Sequence, residues 1–473
     1  MQLSNKRWSD EEFFDMRKEV LSWWPTGKEI DLDEAVEYRK KLPKHKVWAD
    51  KLEQAKKDEK CLLYVMLGHA TVEQTLEHMK FLEQAGADLL MIMPDAYTRK
   101  RKYEEAERGV TESIRQGKSL LNGYPMVNHG VKRNRVLTDS VNVPIQLLSC
   151  CDEDPRLNHE VTLASGFNGQ TMDLHDLIQH CKDYPLDKRI RNTQYANRLT
   201  SYYEERGVPV NLNIPANLCG WDPLGMKIVM AILACLLAAE QGARHLDIGV
   251  TPTCHLVHDV AGLKQVRALT NEYLHRFGYN DVTVSVACSS WQGDWPRDLY
   301  RAASLLSICA SISVLGGVDY HMLRSVQEAR AIPNKESNLA ALRIGQQVIA
   351  TLGKQRLSES DELKLEQEMI AKEVRAIVDR VIELGQGDII AGELKAVQTG
   401  ELDAAFPCWI HVKGKVLPVR DATGAIRYLD HGNLPLPKDV IEYHRQKIAE
   451  REKAEKRKAD LEMVIEDVVC ISR

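Results

Sequence analysis

Hydrophobic and polar positions follow two different spacings along this chain. In the first 60 residues, apolar positions recur at helical spacing, and Ser9 with Glu12 forms a capping-box pattern ahead of Phe13. Beyond residue 60, short apolar runs alternate with charged segments of helical spacing. We predict strands at nine of these runs: residues 62–67, 89–93, 125–127, 144–148, 161–164, 208–214, 245–250, 282–287 and 312–315.

Strands that alternate with helices indicate an α/β protein with a parallel sheet and crossover helices. Eight or nine strands within about 270 residues fit a closed (β/α)8 TIM-type barrel better than an open doubly wound sheet, which stays possible. We therefore expect three regions. A helical N-terminal extension covers residues 1–60, the barrel covers 61–335, and a helical, smaller α+β cap region covers 336–473.

Composition narrows the function classes. The 473 residues include 63 basic and 68 acidic side chains, for a net charge of -5, so we expect neither nucleic-acid nor membrane binding. The two long apolar stretches, at 228–239 and 302–318, are shorter than the roughly 20 apolar residues of a membrane span and predict buried core. The N-terminus lacks a signal-peptide pattern and the 11 cysteines form no C-x-x-C, which favours a cytoplasmic location.

Candidate chemistry is concentrated after the predicted strands, where barrel enzymes carry their active sites. The segment 95–102 (DAYTRKRK) holds Arg99, whose guanidinium fork suits a carboxylate or phosphate, although a solvated basic turn explains the segment equally well. The segment 254–259 (CHLVHD) lacks further ligands at suitable spacing, so we expect no metal site. Dinucleotide, P-loop and nucleophile-elbow motifs do not occur in the sequence.

Several blocks of residues, in order along nearly the whole chain, carry a resemblance to a known family. They are 23–29 (WWPTGKE), 95–99 (DAYTR), 119–125 (SLLNGYP), 270–274 (TNEYL), 278–282 (GYNDV), 383–388 (ELGQGD), 418–421 (PVRD) and 427–429 (RYL). Together these blocks are similar to the large (epsilon) subunits of the glutamate mutase, or methylaspartate mutase, family.

The resemblance implies the barrel subunit of an adenosylcobalamin-dependent isomerase, an intramolecular transferase that interconverts L-glutamate and threo-3-methylaspartate by a radical rearrangement. In that family a separate small subunit carries the cobalamin-binding motif D-x-H-x-x-G. This chain has Asp173 and His175 at the first spacing but no glycine at the last. We therefore expect a small partner subunit that holds most of the cofactor, and a homodimer of large subunits.

The resemblance also predicts site residues. Where the family has three substrate-binding arginines, this chain keeps Arg99 and has Met66 and Leu148 at the other two positions. The family's glutamate falls near Gln170 or Thr171, and its two tyrosines fall at Asp176 and His180. On the cofactor side, the resemblance predicts contacts from four further residues: Asn122, Gly123, Arg324 and Glu328.

These replacements lead to the main hypothesis, a mutase for a small anionic substrate other than glutamate. Removing one partner from a buried charged pair costs about 2 to 5 kcal/mol, so the lost arginines predict weak glutamate binding. Arg99 would hold the anion, His175 and Asp176 would contact the altered end, and His129, His180 and Gln170 are the catalytic candidates. Two alternatives stay open: ordinary glutamate mutase with arginines supplied by Arg101, Arg133 or Arg135, and a non-catalytic binding relative.

Overall fold

Eight parallel strands form the central sheet of the computed structural model, which describes residues 3–148, 154–170, 178–216 and 219–473. The strands run in the order β3-β2-β1-β8-β7-β6-β5-β4. Their bounds are β1 Leu62–Leu67, β2 Leu89–Ile92, β3 Ile145–Leu147, β4 Gly169–Gln170, β5 Asn211–Ala216, β6 His245–Val250, β7 Thr283–Ser289 and β8 Tyr320–Leu323. The α/β class predicted from the alternating pattern is confirmed.

Helices cover the outside of this sheet and build both terminal regions. The N-terminal helices are α1 Asp10–Leu21, α2 Leu32–Lys40 and α3 Trp48–Lys57. Between the strands lie α4 Val72–Gln84, α5 Ala96–Arg99, α6 Tyr103–Gln116, α7 Met126–Ser140, α8 Arg156–Ala164, α9 Leu186–Glu204, α10 Leu224–Gln241, α11 Leu256–Arg276 and α12 Leu299–Gly316. After them come α13 Lys335–Leu352, α14 Asp361–Gly385, α15 Ile389–Thr399, the hairpin β9 Leu417–Arg420 and β10 Ile426–Asp430, α16 Lys438–Glu455 and α17 Leu461–Val468.

The sheet is curled, and Asn168, which precedes the edge strand β4, forms hydrogen bonds to the other edge strand, β3. Leu147 N on β3 donates to Asn168 O at 3.1 Å, and Asn168 N donates to Ile145 O at 2.9 Å, immediately before β4. Gln146 and Asn168 form a parallel bridge. The carboxyl ends of all eight strands therefore face the same side of the molecule.

Three of the nine predicted strands are wrong. Residues 125–127 are the N-cap and start of α7, residues 161–164 lie in α8, and residues 312–315 lie in α12. A short apolar run has the same pattern in a buried helix as in a buried strand, so periodicity alone does not separate them. Conversely, β4 has only two residues and β8 is a four-residue strand after a glycine pair, and neither was predicted.

Alternate residues of the strands point to two different apolar layers. On β1, Leu63, Val65 and Leu67 pack outward against the helices, whereas Leu62, Tyr64 and Met66 face the interior of the curled sheet. This division follows from the two-residue period of a strand. Both layers are buried, as is usual for a parallel sheet covered by helices.

Trp48 on α3 closes the interior at the amino ends of the strands. Its ring contacts Tyr64 and Tyr320 edge to face, with centroids 5.3 and 5.6 Å away, and those two tyrosines are 5.6 Å apart. All three side chains are buried. The N-terminal extension thus supplies the plug of the barrel-like sheet.

Buried ions hold the C-terminal hairpin to the long helix α14. Arg427 on β10 contacts both carboxylate oxygens of Glu366 on α14, and its Nε donates to Asp421 at 2.7 Å. Helix α13 packs on β1, where a Cβ on Gly345 would lie 2.9 Å from the Leu63 side chain. The predicted division at residues 60 and 335 stays a prediction.

Two helices in the described part of the chain are long and apolar enough to cross a membrane by composition. Helix α10 is 94% buried over its span, whereas α12 is half buried. Buried core helices of soluble proteins have the same composition, so these two helices are weak evidence for a membrane. The cytoplasmic location stays a prediction.

Candidate active site

Backbone segments approach closely at the carboxyl ends of β1 and β2. Tyr124 N donates to Met93 O at 2.7 Å, and a Cβ on Gly123 would lie 2.6 Å from Pro94 O. Only glycine allows this contact. Asn122 is exposed beside it, and its Oδ1 accepts from Ala96 N at 2.9 Å. The structure thus gives Gly123 a packing role, while a cofactor contact at Asn122 or Gly123 stays a prediction.

Arg99 is positioned by a single helical turn rather than by an open loop. Asp95 caps α5, accepting from Tyr97 N at 2.8 Å and Thr98 N at 3.2 Å. The Arg99 Nε donates to Pro94 O at 3.0 Å, directly after β2, and the side chain is half-buried. This arrangement fixes the base of the guanidinium group at the carboxyl edge of the sheet.

The two positions predicted to have lost arginines lie in one apolar cluster. Met66 ends the interior row of β1, and Leu148 follows β3 directly. Met93 and Met322, from the ends of β2 and β8, belong to the same cluster. We call these four side chains the apolar floor, because they form the upper, carboxyl-end layer of the sheet's interior. The structure therefore brings Met66 and Leu148 together.

Arg324 and Glu328 form the polar counterpart next to β7 and β8. Arg324 Nη1 donates to Glu328 Oε1 and Nη2 donates to Gln292 Oε1, both at 2.6 Å. The Arg324 Nε is buried without a hydrogen-bond partner among the described residues. A cavity of about 310 Å³ adjoins the pair and is lined by residues that include Gln292, Trp295 and Glu328. The structure pairs Arg324 with Glu328, and the cofactor contact predicted for both residues stays a prediction.

His129 lies on α7, because the strand expected at 125–127 is the start of that helix. Its Nε2 donates to Ala70 O at 3.0 Å, and its ring lies 4.8 Å from that of Tyr124. Burial lowers the pKa of His129, so the imidazole is neutral near pH 7 with Nδ1 as the remaining acceptor. The ring is therefore held by α7 and the loop after β1, and its catalytic role stays a prediction.

The other predicted site residues lie at β4, on the surface, or outside the described residues. His180 is exposed, and Gln170 belongs to β4, where its backbone is in register with Asn213 of β5. His175, Asp176 and the segments 149–153, 171–177 and 217–218 lie outside the described residues. Whether these residues share a site with Arg99 therefore stays a prediction.

The sequence did not predict a hydrogen-bonded contact between His69, His78 and Asn338 behind β1. His69 follows the strand, and its Nε2 lies 2.9 Å from Nδ1 of His78 on α4. Burial lowers the pKa of His78 to about 3, so this ring stays neutral. Asn338 on α13 contacts His78 and donates to Met66 O at 2.9 Å. These three side chains support the end of β1, and only the position of His69 after a strand gave a signal in the sequence.

Comparison with known proteins identifies the family. A sequence profile described as "Methylaspartate mutase E chain (MutE)" matches residues 42–473. This chain belongs to the methylaspartate mutase E chain family. Membership confirms the resemblance found in the sequence and makes the chain a member of an isomerase (intramolecular transferase) family.

Curated relatives match this methylaspartate mutase E chain family member, the present chain, over its full length. A glutamate mutase epsilon subunit from Desulfitobacterium hafniense (strain Y51) is 38% identical over 100% of this chain and 98% of the relative. Relatives of the same name from Treponema denticola and Escherichia coli O157:H7 are each 36% identical, with the same coverage.

Solved structures give a weaker comparison. A tryptophan synthase subunit alpha from Legionella pneumophila str. Paris aligns with 64% of this chain and 98% of its own, at 12% identity and a TM-score of 0.36. A tryptophan synthase alpha chain from Legionella pneumophila subsp. pneumophila aligns at 13% identity and a TM-score of 0.28, over 65% of this chain and 98% of its own. Likeness at this level carries no argument about function.

Proposed function

We propose that this chain is the large, barrel subunit of an adenosylcobalamin-dependent carbon-skeleton mutase. The observation that carries the proposal is the full-length match to relatives named glutamate mutase epsilon subunit. The hydrogen bonds between Asn168 and β3 support a closed eight-stranded barrel. In such a barrel, Arg99 and Arg324 lie at the same rim, the end that carries barrel active sites.

The residues at this rim fit an adenosyl group. Adenosylcobalamin supplies an organic radical by homolysis of its cobalt–carbon bond. Ribose hydroxyls and adenine nitrogens need both donors and acceptors, and the unpartnered Arg324 Nε with the Glu328 carboxylate beside a 310 Å³ cavity offers both. Because this sequence lacks D-x-H-x-x-G, we infer that a small partner subunit with that motif holds the corrin.

The chain's own residues bind the substrate and keep water away. Arg99 holds the carboxylate or phosphate of a small anion, and Trp48 seals the interior at the opposite end. Exclusion of water protects reactive intermediates from side reactions. His129, His180 and Gln170 are the candidates for proton transfer, and His175 and Asp176 for contact with the substrate.

The substrate differs from glutamate in this proposal, because Met66 and Leu148 supply no positive charge. The alternative, an ordinary glutamate mutase with other arginines, has less support. Arg133 contacts Glu73 at 2.6 Å and Arg135 contacts Glu34 at 2.5 Å. Arg101 lies over the Trp23 ring at 3.8 Å and 3.6 Å from Asp154. All three substitutes are thus engaged elsewhere.

Anaerobic reconstitution tests the function. The chain is combined with its small D-x-H-x-x-G partner and adenosylcobalamin, and the visible absorbance of the cofactor is followed on addition of L-glutamate or other small acids. We expect cofactor retention by the complex, a substrate-dependent absorbance change, and little 3-methylaspartate from glutamate. Formation of 3-methylaspartate at an ordinary rate would support the alternative, whereas no cofactor retention would support a non-catalytic relative.

A substitution tests the anion site. Arg99→Ala removes the guanidinium group, so we expect KM for the accepted acid to rise at least about 30-fold, the factor for loss of a charged hydrogen-bond partner. Arg133→Ala, which removes an exposed surface pair, is the matched control and should leave KM unchanged. Equal kinetics in both variants would remove Arg99 from the site.

Assembly is the remaining part of the proposal. We infer a homodimer of large subunits with one small subunit bound to each, located in the cytoplasm. Sedimentation of the large chain alone and with its partner measures both steps, since the dimer must persist in the absence of the small subunit. A monomeric large chain would contradict this arrangement.

A further inference from the structure

The interior of the sheet becomes more accessible toward the carboxyl ends of its strands. Deep interior side chains such as Tyr64, Met91 and Tyr320 are 1% exposed, whereas Met66 and Met322 are each 8% exposed. Met93 and Leu148 are half-buried and pack on the same cluster. Among the described residues of this cluster, the apolar floor is therefore the layer that lies nearest to the carboxyl rim.

Polar groups around this floor are already paired. Met66 O accepts from Asn338, and Met322 O accepts from Ser290 N and Oγ at 2.9 and 3.0 Å. Below the floor, Gln146 accepts from the Tyr64 hydroxyl and donates to Gly169 O at 2.9 Å. The four floor side chains thus offer a ligand thioether and hydrocarbon surface, and Trp48 Nε1, unpartnered among the described residues, lies deeper, at the amino end of the interior.

Such a surface discriminates against charge. An ionised carboxylate placed on the floor would lose its water without gaining a partner, which is strongly unfavourable. A hydrocarbon group gains from the same burial, and methionine side chains adapt to its shape. One methylene changes specificity in an apolar pocket by about 10- to 200-fold.

We propose that the substrate is a small monocarboxylic acid whose other end is an uncharged hydrocarbon group seated on Met66, Met93, Leu148 and Met322. This inference rests on the proposed function, which supplies the carboxylate site at Arg99. It names the substrate class: a dicarboxylate such as glutamate is rejected by the apolar floor, and its hydrocarbon isostere is accepted.

Ligand binding to the reconstituted complex tests the inference without turnover. The complex is loaded with cyanocobalamin, which forms no adenosyl radical, and titrated calorimetrically with L-glutamate and with L-2-amino-5-methylhexanoate. The second compound has the shape of glutamate with two methyl groups in place of the carboxylate oxygens. We expect it to bind at least about 30-fold more tightly. Tighter binding of glutamate, or no binding of either compound at about 10 mM, would overturn the inference.

Charged variants give the reverse test. Met66→Arg and Leu148→Arg each place a cation on the floor, so we expect glutamate to gain affinity and the isostere to lose it. Val136→Arg, at an exposed position on α7, adds the same charge as a matched control and should leave the preference unchanged. If the arginine variants do not fold, Met66→Leu replaces them in the test. It keeps the apolar surface, so the preference for the isostere over glutamate must survive in this variant.

The two proposals fail in different ways. If the isostere binds selectively but the adenosylcobalamin complex shows no absorbance change with any acid, the mutase function is wrong and the apolar floor stands as a binding site. If the absorbance changes with glutamate and not with hydrocarbon acids, the function stands and the substrate class is wrong.

Discussion

Asp247 on β6 is a charged residue type in an interior position. It is fully buried, and its Oδ1 accepts from Asn211 Nδ2 at 2.9 Å. Burial raises the pKa of Asp247 to about 7. The native state therefore binds this proton more tightly than the unfolded chain, in which an aspartate has a pKa of about 3.9. Stability from this group is complete below that value and is lost as the pH rises toward 7.

Asp247→Asn removes this titration while keeping a carbonyl acceptor for Asn211. We expect the free energy of unfolding of the wild type to fall more steeply between pH 5 and pH 8 than that of the variant, by roughly 3 kcal/mol across the range. Urea unfolding at several pH values measures the difference. Asp187→Asn, at an exposed position, is the control and should keep the slope of the wild type. Parallel slopes in wild type and D247N would contradict the argument.

At the scale of elements, Trp48 shows what a single helix contributes to the sheet. Trp48→Ala would empty the space between Tyr64 and Tyr320, and removing a fully buried tryptophan costs about 3 to 5 kcal/mol. Thermal unfolding should show a correspondingly lower melting temperature. Trp24→Ala is the matched control, because Trp24 is half-buried against Tyr103 and should cost less. Equal losses would mean that α3 does not brace the interior.

Some elements were predictable and others were not, for physical reasons. The run 62–67 became a strand because a buried parallel strand is continuously apolar and has the right length. Residues 312–315 have the same composition but continue a long helical pattern, so a short window misassigned them. Strand β4 has too few residues for any periodicity, since its position is set by β5 and Asn168 rather than by its own sequence.

Positions in the candidate site were predictable only where the ends of the neighbouring strands were also predictable. The positions of Arg99, Met66 and Leu148 near the carboxyl ends of strands were predictable because β1, β2 and β3 were, and their role in a site stays a prediction. His129 was placed after a strand that is a helix. His78 and Asn338 come from two helices that meet only in the folded chain, so no local spacing could connect them.

At the scale of the whole molecule, Glu366 joins the C-terminal hairpin, through Arg427, to helix α11 outside the sheet, through His258. Glu366 accepts from Arg427 Nη1 at 2.9 Å, from Tyr443 at 2.7 Å, and lies 2.9 Å from His258 Nδ1 on α11. The Arg427 guanidinium and the His258 ring hold the pKa of Glu366 well below its usual range, although burial alone would raise it. The carboxylate is therefore ionised throughout the neutral range.

Arg427→Met leaves Glu366 and Asp421 buried without their cation. We expect a loss of about 3 to 5 kcal/mol, the cost of breaking a buried ion pair from one side. Glu366→Gln in the same background removes one of the stranded charges and should recover part of the loss. Urea unfolding of both single variants and of the double variant gives the coupling energy. Additive losses would show that the pair does not hold the two regions together.

The Trp48 plug also constrains the order of events during catalysis. With Trp48 filling the amino end of the interior, the described residues leave the carboxyl rim as the side of access to the apolar floor. We infer that the cofactor-bearing partner docks on that same side. Substrate entry, closure and product release then share one passage and must occur in sequence. Steady-state kinetics would accordingly show compulsory-order binding, with excess small subunit slowing the release of product instead of accelerating turnover.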